Sequence, residues 1–223
     1  MRVLFGMVLM AAVAFAGEAE DKRLQESADV LNEIMVSGDN SIPQGLLEKA
    51  ACAVVVPGMK KGGFIVGAKF GRGFATCRKE SGVGWSAPSG VRIEGGSVGF
   101  QIGGAEVDII LLVMNKRGMD RLASSKFTLG GEASVAAGPV GRGTTAQTDA
   151  TMRAEILSWS RSRGVFAGIA LQGATLRRDN DVDAALYGSQ KTVLEILNGP
   201  TEPPAAAASL LSTLNKYSSR PNR

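Results

Sequence analysis

Apolar residues follow two different periods along this 223-residue chain. Over 21–37, Leu24, Ala28, Leu31 and Met35 form one stripe, widened by Val30 and Ile34, and that spacing predicts an amphipathic helix ended by Gly38. Ser41 stands three residues before Gln44 with Pro43 between them, a capping-box start for a short helix through Lys49. Beyond residue 50 the pattern changes to short apolar runs and alternation, which predicts strands at 51–56, 64–70, 74–78 and 83–86. The punctuation between them comes from turn residues. Pro57 and Gly58 close the first strand, Met59, Lys60, Lys61, Gly62 and Gly63 read as a basic loop, and Gly71, Arg72 and Gly73 allow a sharp bend.

The stretch IEGGSVGFQIGGAEVDIILLVMN at 93–115 reads as a β-hairpin. In its first arm Val98, Phe100 and Ile102 alternate among five glycines, and so many glycines in one strand imply bends, bulges or a close backbone neighbour. The second arm, 107–114, is apolar almost throughout after Asp108 and so predicts a strand buried on both faces. A short helix at 115–124 capped by Asn115, a brief strand at 127–129 and an ordered loop at 130–143 follow. A second hairpin pairs 154–161 with 165–176, and short helical turns lie at 183–188 and 191–197. Pro200, Pro203 and Pro204 then stop regular structure, ahead of an alanine-rich piece and a fraying basic end. The elements predict an α+β fold, a curved, mainly antiparallel, glycine-rich β-sheet, barrel-like, with short flanking helices.

Residues 1–16 carry one basic residue, an apolar core and Ala14 and Ala16 at small-residue positions, the pattern of a secretory signal peptide. The expected organisation is therefore a leader at 1–16, a helical segment at 17–50, a β-rich domain at 51–198 and a Pro/Ala-rich tail at 199–223. Export to the periplasm, with peripheral membrane association, is the expected location. In an oxidising compartment Cys52 and Cys77 either pair or serve as two small buried hydrophobes. Histidine is absent, which excludes Ser-His-Asp and Cys-His catalysis and imidazole zinc sites. The net charge of +4 comes without a long basic run, and aromatics are 5% of residues with no base-stacking pattern. Anionic surfaces are therefore a better expectation than any specific nucleic acid.

Three motifs are weighed by their context. Gly95, Ser97 and Gly99 fit GxSxG, but strand on both sides and the missing histidine argue against a nucleophile elbow. Gly141, Arg142 and Gly143 fit a GxGxxA pattern outside any βαβ unit, so a structural turn, or a loop holding a phosphate through Arg142, is the reading. Asp179, Asp181 and Asp183 are spaced as in a calcium loop, yet Ala184 and Gln190 stand where glycine and glutamate are required, and a polar turn before a helix is expected instead. No metal or cofactor is expected. Basic residues cluster at Lys60, Lys61, Lys69, Arg72, Arg78 and Lys79, at Lys116, Arg117, Arg121 and Lys126, and at Arg161 and Arg163. Their proximity in sequence to Met59, Phe64, Val165 and Phe166 suggests apolar insertion combined with basic headgroup contacts.

The run at 95–115 resembles the signature of the SYLF family of lipid-binding domains. KFTLGGEASVAAGPVGRG at 126–143, SWSRSRGVFAGIALQG at 158–173, and Tyr187 with Gly188 continue the resemblance in order, over roughly 45–198. Glu132 stands where an aspartate is expected, and Asp183 where an asparagine is. The resemblance implies non-enzymatic binding of anionic phospholipid or a membrane surface, with Lys60, Lys61, Arg72, Lys116, Arg117, Arg142, Arg161, Arg163 and Phe166 as candidate contacts. A structural or adaptor role toward a protein of the cell envelope is the alternative.

Overall fold

The computed structural model describes residues 2–141, 153–162, 164–169, 171–188 and 191–218, with the side chains of 2–16, 63–66 and 97–103 outside the description. It is α+β, with a curled, mostly antiparallel sheet. Its centre is one long ribbon, β1 (Cys52–Cys77) paired antiparallel with β2 (Ser89–Val113), in register from Cys52 opposite Val113 to Ala75 opposite Ser89. The predicted strands at 51–56, 64–70 and 74–78 are thus a single strand. The two arms expected for a hairpin within 93–115 are likewise one strand, whose partner lies earlier in the chain. Pro57 does not end β1, because the strand passes it through a register shift between Val56 and Met59, where the Gly58 amide donates to Asp108 Oδ1 at 2.9 Å.

Both faces of the ribbon base are apolar. Ala53, Val55, Ile110 and Leu112 join the core on one face, and Cys52, Val54, Val56, Ile109, Leu111 and Val113 the core on the other. A disulfide links Cys52 to Cys77, the two ends of β1, so the ribbon returns on itself. The returning limb passes so close that a Cβ built on Gly73 would sit 2.0 Å from the Val55 carbonyl oxygen. Glycine is needed here for close approach rather than for the bend read from sequence.

The sheet continues from β2 on both sides. Its order is β3 (Lys126–Thr128), β7 (Thr175–Arg178), β2, β5 (Ile156–Ser162), β4 (Val135–Ala137), with β1 on β2 and β6 (Val165–Gly168) on β5. The second hairpin forms as expected over β5 and β6, but 175–178 leaves it to pair with β2 and β3. Of the segment read as an ordered loop, 135–137 is β4, running parallel to β5.

Helix α1 (Arg2–Val36) buries Leu24, Ala28, Leu31 and Ile34, as its stripe predicts, and runs unbroken from residue 2. α2 (Gln44–Lys49) starts without the expected box, since the Ser41 hydroxyl turns back to the Gly38 carbonyl at 2.7 Å. α3 (Lys116–Ala123) is capped by Asn115, which accepts from the Gly118 amide at 2.9 Å. α4 (Asn180–Tyr187) and α5 (Val193–Leu197) follow. α6 (Ala208–Ser218) docks on α1 through Leu210 and Leu214, both fully buried, with Tyr217 bonded to Asn32 at 2.8 Å. No helix among the described residues is long and apolar enough to cross a membrane.

Candidate functional site

On the outer face of the curl, four adjacent strands place a cation at the same level. Arg72 on β1 opposes Arg92 on β2, Arg92 opposes Arg177 on β7, and Arg177 opposes Lys126 on β3. Directly opposed residues share a face, and like charges so placed repel. At about 4.8 Å per strand the row is roughly 14 Å long. Alternation turns the intervening Ile93, Leu176 and Phe127 into the buried interior, which fixes the charged positions outward.

The row is only partly neutralised. Glu94, two residues along β2, lies 3.1 Å from Arg92 Nε and 3.4 Å from Arg177 Nη1. Buried Asp179, just before α4, holds Arg72 at 3.0 Å. Two carboxylates thus serve four cations, and Lys126 is exposed with no ion pair among the described residues. Phe70, opposite Glu94 on the same face, leaves its ring 46% exposed beside the row.

α4 borders the row and is pinned to the sheet by its acids. Asp183, 2% exposed, accepts from Ser89 Oγ at 3.0 Å and from the Gly90 amide at 2.6 Å. Burial pushes its carboxyl up to about 6 against those two hydrogen bonds, with Asp179 adding repulsion and Arg178 opposing it. The Tyr187 hydroxyl donates to the Pro88 carbonyl at 2.5 Å, and burial raises its pKa. The stretch expected to be a solvated polar turn is in fact a partly buried clamp, because α4 lies on the sheet with Asp183 and Val182 both on its buried face.

The candidates named from sequence separate into groups. Lys60 and Lys61 lie within β1, not in a loop, opposite Glu106 and Ala105. Lys60 is exposed, while burial and then Lys69 depress the Lys61 pKa, which places two lysines near each other on the ribbon. Met59 beside them is fully buried in the core, which takes it off the surface. Lys116 pairs with Asp120 at 3.5 Å and exposed Arg117 with Glu155 at 3.5 Å. Arg161 is largely buried and bridges β2 to α1, bonding Asp108 at 2.5 Å and pairing with Glu33. Phe166, 4% exposed, lies 5.5 Å beneath its guanidinium within the core, so the ring is a packing residue, whereas neighbouring Val165 is exposed. Arg142 and Arg163 lie outside the described residues. Of the candidate contacts among the described residues, Arg72 alone belongs to the row, and Lys126 comes from the basic cluster read around α3. Arg92 and Arg177 were missed because each lies in a short strand, VRIE and TLRR, far in sequence from the basic clusters, and only the register aligns them.

Among the described residues no group of three Cys, Asp or Glu could hold a metal ion. A family described as Las17-binding protein actin regulator, Ysc84, matches residues 94–217. An SH3 domain-containing protein of Schizosaccharomyces pombe is 36% identical over 177 residues, 78% of this chain and 41% of its own length. The human SH3 domain-containing YSC84-like protein 1 is 32% identical over 183 residues, covering 82% of this chain and 53% of its own. LAS seventeen-binding protein 3 of Saccharomyces cerevisiae is 30% identical over 179 residues, 79% of this chain and 39% of its own. The chain spans about half or less of the length of these curated relatives.

Proposed function

The chain belongs to the Ysc84 family of SYLF domains, and from that premise we propose that it is a non-enzymatic module that binds an anionic phospholipid surface through the cationic row. The observation that carries the reading is the register that aligns Arg72, Arg92, Arg177 and Lys126 across four strands against two carboxylates. Opposed like charges cost folding energy, and an anionic surface supplies the missing counter-charge. Exposed Phe70 adds an apolar contact at the edge of the row, and Lys60, an even number of residues from Arg72 along β1, extends the positive surface along the ribbon, while Lys61 turns to the opposite face.

Vesicle co-sedimentation tests this reading. The chain is expected to sediment with vesicles containing phosphatidylglycerol and not with phosphatidylcholine alone, and binding should weaken as salt rises. A basic residue near an anionic leaflet contributes about 1 kcal/mol, so Arg177→Glu with Lys126→Glu should weaken binding at least about tenfold with little change in the melt. Wild-type affinity in that double variant would remove the row as the site. The relatives' names favour a second reading, a protein partner with an acidic surface. Capture of such a partner by the row, with no vesicle binding at any salt, would replace the lipid reading.

We also propose export with loss of residues 1–16. The leader-like composition supports it, and the disulfide between Cys52 and Cys77 suits an oxidising compartment. N-terminal sequencing of the protein from the expressing cell should begin at Gly17, and a start at Met1 would overturn the proposal.

A further inference from the structure

The cationic row carries its own competitor. Glu94 stands two residues beyond Arg92 on β2, on the same face, and two members of the row hold its carboxylate in common. Each contact is weak in a different way. Glu94 Oε1 lies 3.1 Å from Arg92 Nε, yet that N–H finds no acceptor in line among the described residues. Arg177 Nη1 donates to Glu94 Oε2 at a long 3.4 Å. Neither guanidinium forms with Glu94 the two-pronged fork that makes an arginine–carboxylate pair strong. The other carboxylate of the row is held differently, since Asp179 is 1% exposed beside Arg72 whereas Glu94 is 35% exposed. The Glu94 side chain also has room to move. Its neighbours on adjacent strands are Phe70 on β1 and Thr175 on β7, neither of them charged. Two residues further along β2, on the same face, Gly96 is exposed and has no side chain, and a Cβ there would meet no heavy atom closer than 4.0 Å. The carboxylate can therefore swing off the row into open space, and an exposed ion pair of this kind contributes little to stability.

We infer that Glu94 is a displaceable counter-ion that sets how densely charged a surface must be before the row binds it, an inference that rests on the surface-binding reading. While Glu94 is seated it offsets the charge of Arg92 and Arg177, the two middle members of the row. A sparse anionic surface offers these two little more than they already have. A dense one brings several charges within the length of the row, enough to draw both guanidinium groups away from Glu94. The displaced carboxylate stays close to the surface and is repelled by it, so binding to a sparse surface is opposed both before and after displacement. Buried Asp179 has no such freedom, and its pair with Arg72 stays closed throughout.

Co-sedimentation of the full chain with phosphatidylcholine vesicles of rising phosphatidylglycerol fraction tests the inference. Glu94→Gln keeps the shape and an acceptor oxygen for Arg177 but removes the charge. It should reach half-binding at a lower phosphatidylglycerol fraction than wild type, and bind about fivefold more tightly to vesicles of low fraction. A purely structural role, in which Glu94 holds the two arginines in place, predicts weaker binding instead. Glu202→Gln removes the same charge from the exposed segment ahead of α6 and should change binding much less. An equal gain in that variant would reduce Glu94 to one unit of net charge and overturn the inference. The gain from Glu94→Gln should also shrink when Arg177→Gln is already present, because one of the two arginines it releases is gone, and an undiminished gain would overturn the inference as well. Should Glu94→Gln fail to fold, Glu94→Thr places a strand-forming residue at the same position and repeats the comparison. Binding by wild type with equal or weaker binding by the Glu94 variant overturns the inference and leaves the surface reading standing. Binding by neither protein at any fraction overturns the surface reading and the inference with it.

Discussion

Asp183 shows what a single residue does here. Sequence placed it in a polar turn, because three aspartates within five residues look hydrated and nothing local reveals that α4 lies on the sheet. Its burial against Ser89 and Gly90 gives it a carboxyl pKa of about 6, raised above the ordinary 3.8. A raised carboxyl pKa means that the folded state holds the proton more tightly than the unfolded chain. The stabilisation is fully present below about pH 4, falls as pH rises to about 6, and stays lost above it. The shift of about two units corresponds to at most about 3 kcal/mol. Asp183→Asn keeps an oxygen for the Gly90 amide and supplies an NH2 to the Ser89 hydroxyl, without a charge. Denaturant unfolding of this variant should therefore vary less between pH 4 and 7 than wild type, with the variant the more stable by about 1 to 3 kcal/mol at pH 8. Parallel curves for the two proteins would show that Asp183 is not buried as a charged group.

At the scale of elements, what sequence conveys depends on whether the signal is local. The stripe of α1, the Asn115 cap of α3 and the β5–β6 turn were legible because each rests on neighbours a few residues apart. The ribbon was read as several short strands, since proline and glycine ordinarily end strands and here instead mark a bulge and a crossing of limbs. The pairing of Cys52 with Cys77 was undecidable for the same reason, as only the return of the ribbon brings the ends of β1 together. Two glycines separate these roles. A methyl group at Gly73 would stand 2.0 Å from the Val55 carbonyl oxygen and 2.6 Å from Val56 Cα, atoms of backbone that cannot swing aside. At Gly96 the nearest heavy atom is 4.0 Å away. Gly73→Ala should cost about 3 kcal/mol or more, or prevent folding, whereas Gly96→Ala should fall within about 1 kcal/mol of wild type. Thermal melts decide it, and equal melting temperatures would mean that the limbs do not cross at Gly73.

Across the whole molecule the outer face of the curl divides into two zones. α1, α2 and α6 cover one, burying Phe74, Trp85 and Trp159, while the cationic row occupies the other, with α4 and its Asp179–Arg72 pair along the boundary. The fold class was legible from composition and period, but the row was not, because its four members come from positions 72, 92, 126 and 177 and are joined only by register. The division implies that the helical layer is scaffold and the row is the working surface. Leu214 tests this separation, because it is fully buried where α6 meets α1 and lies far in sequence and packing from the four cations. Leu214→Ala should destabilise the fold by about 2 to 5 kcal/mol, as large-to-small core changes do. Binding of the variant to phosphatidylglycerol vesicles, measured well below its melting temperature, should match wild type, since no charge and no residue of the row has changed. A loss of vesicle binding in a variant that is still folded would move the binding surface to the helical layer and leave the row without a role.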